Sequence, residues 1–253
     1  MRSEWFGSVP KESQMIVIRK PQSIYQTGGE IQNGEFHGRW HFSFDQYHDP
    51  QYMHFGALRV FNDDTLSPGA VWPLHPHRDI EVVTYCADGE FRHADEHGLG
   101  AILEKGWVQH TTVGRGMYHS ELNNRADAPM RFIQMWFSPF KRGLQPSVEV
   151  KKVELGERTN RLFPVVSNNY PEALPIRAEA EVFSCCLQAG RSVDQEIWEG
   201  YGAYIYVLEG GPVMLDGRLI PALGAAKVNE EGGLRLSAQT DAELLLVHVS
   251  VVG

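Results

Sequence analysis

The chain has 253 residues, a formal charge of −9, 42% hydrophobic residues and three cysteines. That length suffices for one large or two modest domains, each able to bury its own core. The acidic balance, without blocks of Lys and Arg to displace counterions from phosphates, argues against direct nucleic-acid binding.

No apolar run approaches membrane-spanning length, and residues 1–20 carry no stretch of signal-peptide type, so no membrane association and a cytoplasmic location are expected. Cys185 and Cys186 are adjacent and Cys86 is isolated. Such spacing favours neither an ordinary disulfide nor a zinc knuckle and fits a reducing compartment. Cys86 reads as a small buried residue rather than a reactive thiol.

In chain order, residues 14–19 (QMIVIR) predict a first strand, 40–44 (WHFSF) a second and 54–61 (HFGALRVF) a third. Asn62-Asp63-Asp64 reads as a turn cluster, and Ser67-Pro68-Gly69 as another. Short strands set off by Gly, Pro, Asn and Asp continue to the C-terminus, and almost nothing keeps a helical period beyond two turns. The chain reads as all-β.

Residues 140–180 differ, being polar and interrupted by Gly143, Pro146, Pro164, Pro171 and Pro175, as an inter-domain connection would be. A second series of strands follows, from EVFSCCLQAG (181–190) to LLLVHVSV (244–251). The halves read as a diverged repeat. Expected boundaries are 1–140 for the first domain, 141–180 for the connection and 181–253 for the second domain. Ten of the eleven histidines precede residue 120, leaving His248 alone in the second half. If both halves are barrels, only the first is equipped for a metal.

The chemistry concentrates in His75-Pro76-His77 and His119-Ser120-Glu121. Side chains two apart on a strand share a face, so each piece presents two metal-competent groups in one direction. Three imidazoles and one carboxylate would then converge inside a barrel. Strand parity also admits Glu81, in phase with His75 and His77. It lies four residues past His77, however, roughly 13 Å along an extended strand, and Glu121 is preferred. The alternative, in which these histidines merely hydrogen-bond in a core, would leave several buried polar atoms to satisfy. His93, His97 and His110 read as rim or surface residues, with His93 the best candidate to support a ligand from behind. Trp72, Phe55 and Phe44 could line a pocket or simply pack the core.

The spacing Gly69-x5-His75-x-His77-x3-Glu81, followed by Gly116-x2-His119-x3-Asn123, resembles the two motifs of the cupin superfamily, with Gly114 where a proline is usual. The runs HFGALRVFNDDTLSPGAVWPLHPHRDIEVVTY (54–85), GEFRHAD (89–95) and GRGMYHSELN (114–123) resemble the pirin family of bicupins more specifically. Where family members usually read His-x-Asp-Ser-x-Gly, this chain has His93-Ala94-Asp95-Glu96-His97-Gly98. The resemblance implies two tandem cupin β-barrels of jelly-roll type, the second degenerate and without a metal site. It also implies one divalent metal per chain, held by His75, His77, His119 and Glu121.

Three nitrogens and one oxygen with open positions suit Fe(II) first, and also Zn, Mn, Ni or Cu. Some bacterial relatives resemble quercetin 2,3-dioxygenases, which cleave a flavonol ring with O2 and release CO. On that reading Glu121 is the catalytic base toward a small aromatic, flavonol-like substrate. The family equally implies a second reading, a metal- and redox-dependent regulator acting through a protein partner. A third is a site retained only for stability. A pocket wide enough for a three-ring substrate would favour the enzyme. A monomer is expected, since two fused barrels cover each other's edges.

Overall fold

Runs of Val, Ile, Phe and Tyr broken every few residues by Gly, Pro, Asn or Asp make strands and turns throughout. In the computed structural model, which describes residues 16–96, 100–229 and 231–252, they form two cupin domains of jelly-roll type in tandem. Among the described residues the only helical pieces are three short 3-10 turns. None is long and apolar enough to cross a membrane.

Strand β1 (Ile16–Arg19) opens the described chain. The first domain follows with β2 (Tyr25–Ile31), β3 (Gly34–Trp40), β4 (Leu58–Leu66), β5 (Val71–His77), β6 (Glu81–Asp88) and β7 (Glu90–Asp95). It continues with β8 (Ile102–Glu104), β9 (Val108–Thr112), β10 (Met117–Asn123), β11 (Met130–Phe137) and β12 (Ser147–Lys151). The second domain holds β13 (Phe163–Val166), β14 (Ala180–Leu187), β15 (Ser192–Ile197), β16 (Tyr201–Gly210) and β17 (Val213–Leu215). It ends with β18 (Arg218–Ile220), β19 (Ala225–Val228), β20 (Gly232–Ala238) and β21 (Ala242–Ser250).

A seven-stranded sheet, β12-β9-β6-β11-β4-β3-β2, and a four-stranded one, β5-β10-β7-β8, make the first domain. A six-stranded sheet, β1-β19-β16-β21-β14-β13, and a four-stranded one, β15-β20-β17-β18, make the second. β1 therefore crosses from the N-terminal end of the chain to pair with β19, Ile16 opposite Val228. The stretch 141–180 is more regular than its prolines suggest. It gives β12 to the first domain, beside β9, and β13 to the second, beside β14.

The two large sheets share one core. Phe61, Tyr85, Ile133 and Met135 of the first domain pack with Tyr204, Tyr206, Leu245 and Val247 of the second. Buried polar pairs tie the same seam: Asp63 takes both Arg131 (2.6 Å) and the Tyr206 hydroxyl, and Glu243 takes Arg158 at 2.8 Å. Cys86 is buried, and burial pushes its thiol up to about 12, as an inert packing residue requires.

Three expectations from sequence are displaced here. The strand expected at 40–44 corresponds to β3, which ends at Trp40 rather than beginning there, and the one expected at 54–61 to β4, which begins at Leu58. Asn62-Asp63-Asp64 is not a turn: it lies in the middle of β4, all three residues buried. Asn and Asp are depleted in strands because they solvate the backbone or a turn instead. Here the strand is buried on both faces. Asp63 meets Arg131 in the domain seam, and Asn62 and Asp64 turn into the first domain's interior.

Candidate metal centre and its pocket

β5 and β10 run antiparallel, with His119 directly opposite His75 and Met117 opposite His77. Alternation along β10 buries His119 and Glu121 and exposes Tyr118. The β5 register slips beyond this point, so Glu121 faces Trp72. On its other side β10 pairs with β7, which sets Glu121 opposite His93.

His75, His77 and His119 form one cluster, their ligand nitrogens all within 4.8 Å of one another. His75 Nδ1 lies 2.7 Å from the carbonyl oxygen of Pro73, which can only accept, so Nδ1 carries the proton and Nε2 is free. His75 Nε2 and His119 Nε2 face each other at 3.1 Å. Behind, His119 Nδ1 is 2.8 Å from His93 Nε2. Burial and the neighbouring histidines hold His119 down to about 2. Burial chiefly holds His77 and His93 at about 4. Neutral imidazoles are what a divalent metal binds. If His119 donates from Nδ1 to His93, its Nε2 lone pair and that of His75 point at one space, a pairing that a cation between them would stabilise. The donor set therefore fits a metal.

Glu121 is buried and fixed by Gln134, whose Nε2 donates to its Oε1 at 2.6 Å. The Gln134 amide is itself oriented by the Trp136 indole N–H, which donates to Oε1 of Gln134 at 2.9 Å. Burial raises the Glu121 carboxyl to about 7, with the Gln134 bond pulling it back. No sequence pattern singled out Gln134. It sits in a run, MRFIQMWF, that reads as plain hydrophobic strand.

An open pocket of about 810 Å³ adjoins the cluster, with His75, His77, Glu121 and Gln134 on its wall. Ligand sites commonly span about 300–1,000 Å³. Trp72 and Phe44 line it, as do Phe36, Trp40, Phe132 and Trp136. Phe55 does not; it packs in the shared core near Tyr204.

Glu81 stands apart from the histidine cluster. β5 ends at His77, and the chain turns through Asp79 at φ +52°, so parity does not run on as in one strand. Glu81 is fully buried with His110 (2.8 Å), Thr112 (2.9 Å) and the backbone N–H of Arg177. His110 is thus no rim residue: its ring is spent on a carboxylate inside the core. His93 is also buried rather than on the rim, in the supporting position behind His119. His97 lies outside the described residues.

Fold and site together define a bicupin with a histidine cluster in its first domain. Comparison with known proteins gives the family. The Pirin model matches residues 24–137, and the model of the quercetinase C-terminal cupin domain matches 165–249. A Pseudomonas aeruginosa protein named "Putative quercetin 2,3-dioxygenase" is 38% identical over 93% of this chain and 100% of its own length. The pirin-like protein of Caulobacter vibrioides is 34% identical over the same shares. Among solved structures, the bacterial pirin YhhW of Escherichia coli in complex with nickel(II) superposes with a TM-score of 0.85 at 26% identity, covering 94% of this chain and all of that one. The chain belongs to the pirin family.

Proposed function

We propose that the protein is a quercetin 2,3-dioxygenase-type enzyme, cleaving a flavonol-like ring with O2 and releasing CO at a mononuclear centre. The metal ligands in this reading are His75, His77, His119 and Glu121, with Fe(II) as the working metal. The observation that carries it is the pocket: about 810 Å³, open, aromatic-walled and continuous with His75, His77 and Glu121. A site kept only for stability needs no such space. The names of the relatives point the same way.

In this reading the metal supplies Lewis-acid and O2-activating chemistry when bound. The chain's own residues do the rest. Trp40, Phe36 and Trp72 offer flat faces against which a planar substrate lies. Glu121, buried on the pocket wall, accepts the proton of the substrate's 3-hydroxyl. Gln134 fixes that carboxylate by donating to its Oε1. His93 holds His119 in the tautomer that leaves Nε2 free.

The test is Glu121→Gln. It should abolish most CO release from quercetin, by about 100-fold or more as for a positioned general base. A variant that retains its metal and the full rate removes Glu121 from the mechanism.

A further inference from the structure

Opposite the histidines, the inner face of β4 places two polar side chains where an aromatic wall would be expected. Asn62 pairs across the sheet with Trp40 on one side and Gln134 on the other, and Asp64 with Gly38 and Phe132. Both line the pocket. Asn62 is only 2% exposed, yet its Oδ1 has no hydrogen-bond partner among the described residues. An unpaired buried acceptor is costly, and this one belongs to a residue on the pocket wall.

Asp64 is 7% exposed and accepts the Trp40 indole N–H on Oδ1 at 3.1 Å, which engages one of its two oxygens. The pair is a built feature. A Cβ on residue 38 would fall 2.4 Å from Asp64 Oδ1 and 2.8 Å from Trp40 Nε1, so a larger residue there would push the pair aside. The adjacent charge is kept out of the pocket, because Asp63 is taken by Arg131 on the other face. The other oxygen of Asp64, Oδ2, is left for a ligand, and burial raises the carboxyl to about 8.

We propose that Asn62 and Asp64 form a hydroxyl-recognition subsite, binding a phenolic O–H of an aromatic ligand whose ring lies against Trp40, Phe36 and Trp72. This deepens the proposed function and rests on the pocket being a substrate site. The hydroxyl hydrogen goes to Asn62 Oδ1, and Asp64 bonds the same or a neighbouring oxygen. An unsubstituted or methylated ring leaves Asn62 unpaired and binds more weakly, as in other sites built to bond a hydroxyl.

The Trp40 indole N–H is a direct reporter, being bonded to Asp64. The experiment titrates 15N-labelled, Zn(II)-loaded protein with resorcinol, whose hydroxyls are too far apart to chelate, and with its dimethyl ether. Resorcinol should shift the Trp40 indole resonance saturably and bind about tenfold more tightly than the ether, one hydrogen bond's worth. Asn62→Leu should erase that preference, and the milder Asp64→Asn should reduce it. Should a variant not fold, the two ligands on the wild-type protein still decide. Equal binding of both, no response at Trp40, or a preference that survives in Asn62→Leu overturns the subsite. Loss of CO release with the resorcinol response intact would instead remove the dioxygenase reading and leave the subsite standing.

Discussion

His119 is held at Nδ1 by His93, and that leaves its Nε2, which faces His75, to meet a metal. His93→Phe keeps a ring of similar size but cannot accept the Nδ1–H. Metal affinity should fall about 10–100-fold, as for other residues that orient a ligand, read by competition with a chromogenic chelator; unchanged affinity would show that His93 does not orient its neighbour. Gln134→Leu isolates the other supporting bond. The protein should keep its metal but release CO about tenfold more slowly, and a wild-type rate would mean that Glu121 needs no anchor. The two supports were not equally legible. His93 stands in a His-rich segment two residues from Asp95 and invites attention, whereas Gln134 is one amide in a hydrophobic strand. Its role exists only because β11 and β10 come together in the fold.

At the scale of the strand, alternation was enough to group His75 with His77 and His119 with Glu121, because period two is a property of any extended chain. It failed where the chain leaves that period. The slip of β5 against β10 and the turn at Asp79 both depend on pairing partners that sequence does not display. The failure at Asn62-Asp63-Asp64 has a different origin: local propensity says turn, but Arg131, Tyr206 and Trp40 supply tertiary partners that let a polar triplet stay in a buried strand. Gly114, which stands where the cupin motif usually has proline, is explained by its surroundings. It sits at φ +52°, and a Cβ there would fall 2.0 Å from the carbonyl oxygen of Leu144. Gly114→Ala should therefore destabilise by about 2 kcal/mol or more, measured by urea denaturation; a neutral result would show that the Leu144 segment yields easily.

In the whole molecule, the seam between the large sheets couples the two domains and contains a titratable switch point for stability. His41 is buried there, its Nδ1 2.7 Å from the Tyr204 hydroxyl, and burial first, with Arg19 and Arg39, holds its pKa well below 6.5. The unfolded chain takes up a proton below about pH 6.5 that the folded chain refuses. The stability contributed by neutral His41 is thus present above that pH and is lost as pH falls, by up to about 1.4 kcal/mol per unit. His41→Asn should show a shallower loss between about pH 6.5 and 4.5 in urea midpoints, against the wild type; parallel curves would contradict this. The pirin-type bicupin was legible from the motifs of the first 140 residues. The second domain's sheet membership was not, since β1 reaches it from the far end of the chain.

The central claim is that the first domain's cluster and pocket together carry out metal-dependent flavonol cleavage. The most direct test is CO release from quercetin under O2 by protein purified anaerobically and reconstituted with Fe(II). The structure predicts metal-dependent release that is lost in His75→Ala and Glu121→Ala. Stoichiometric metal binding without CO release would contradict it.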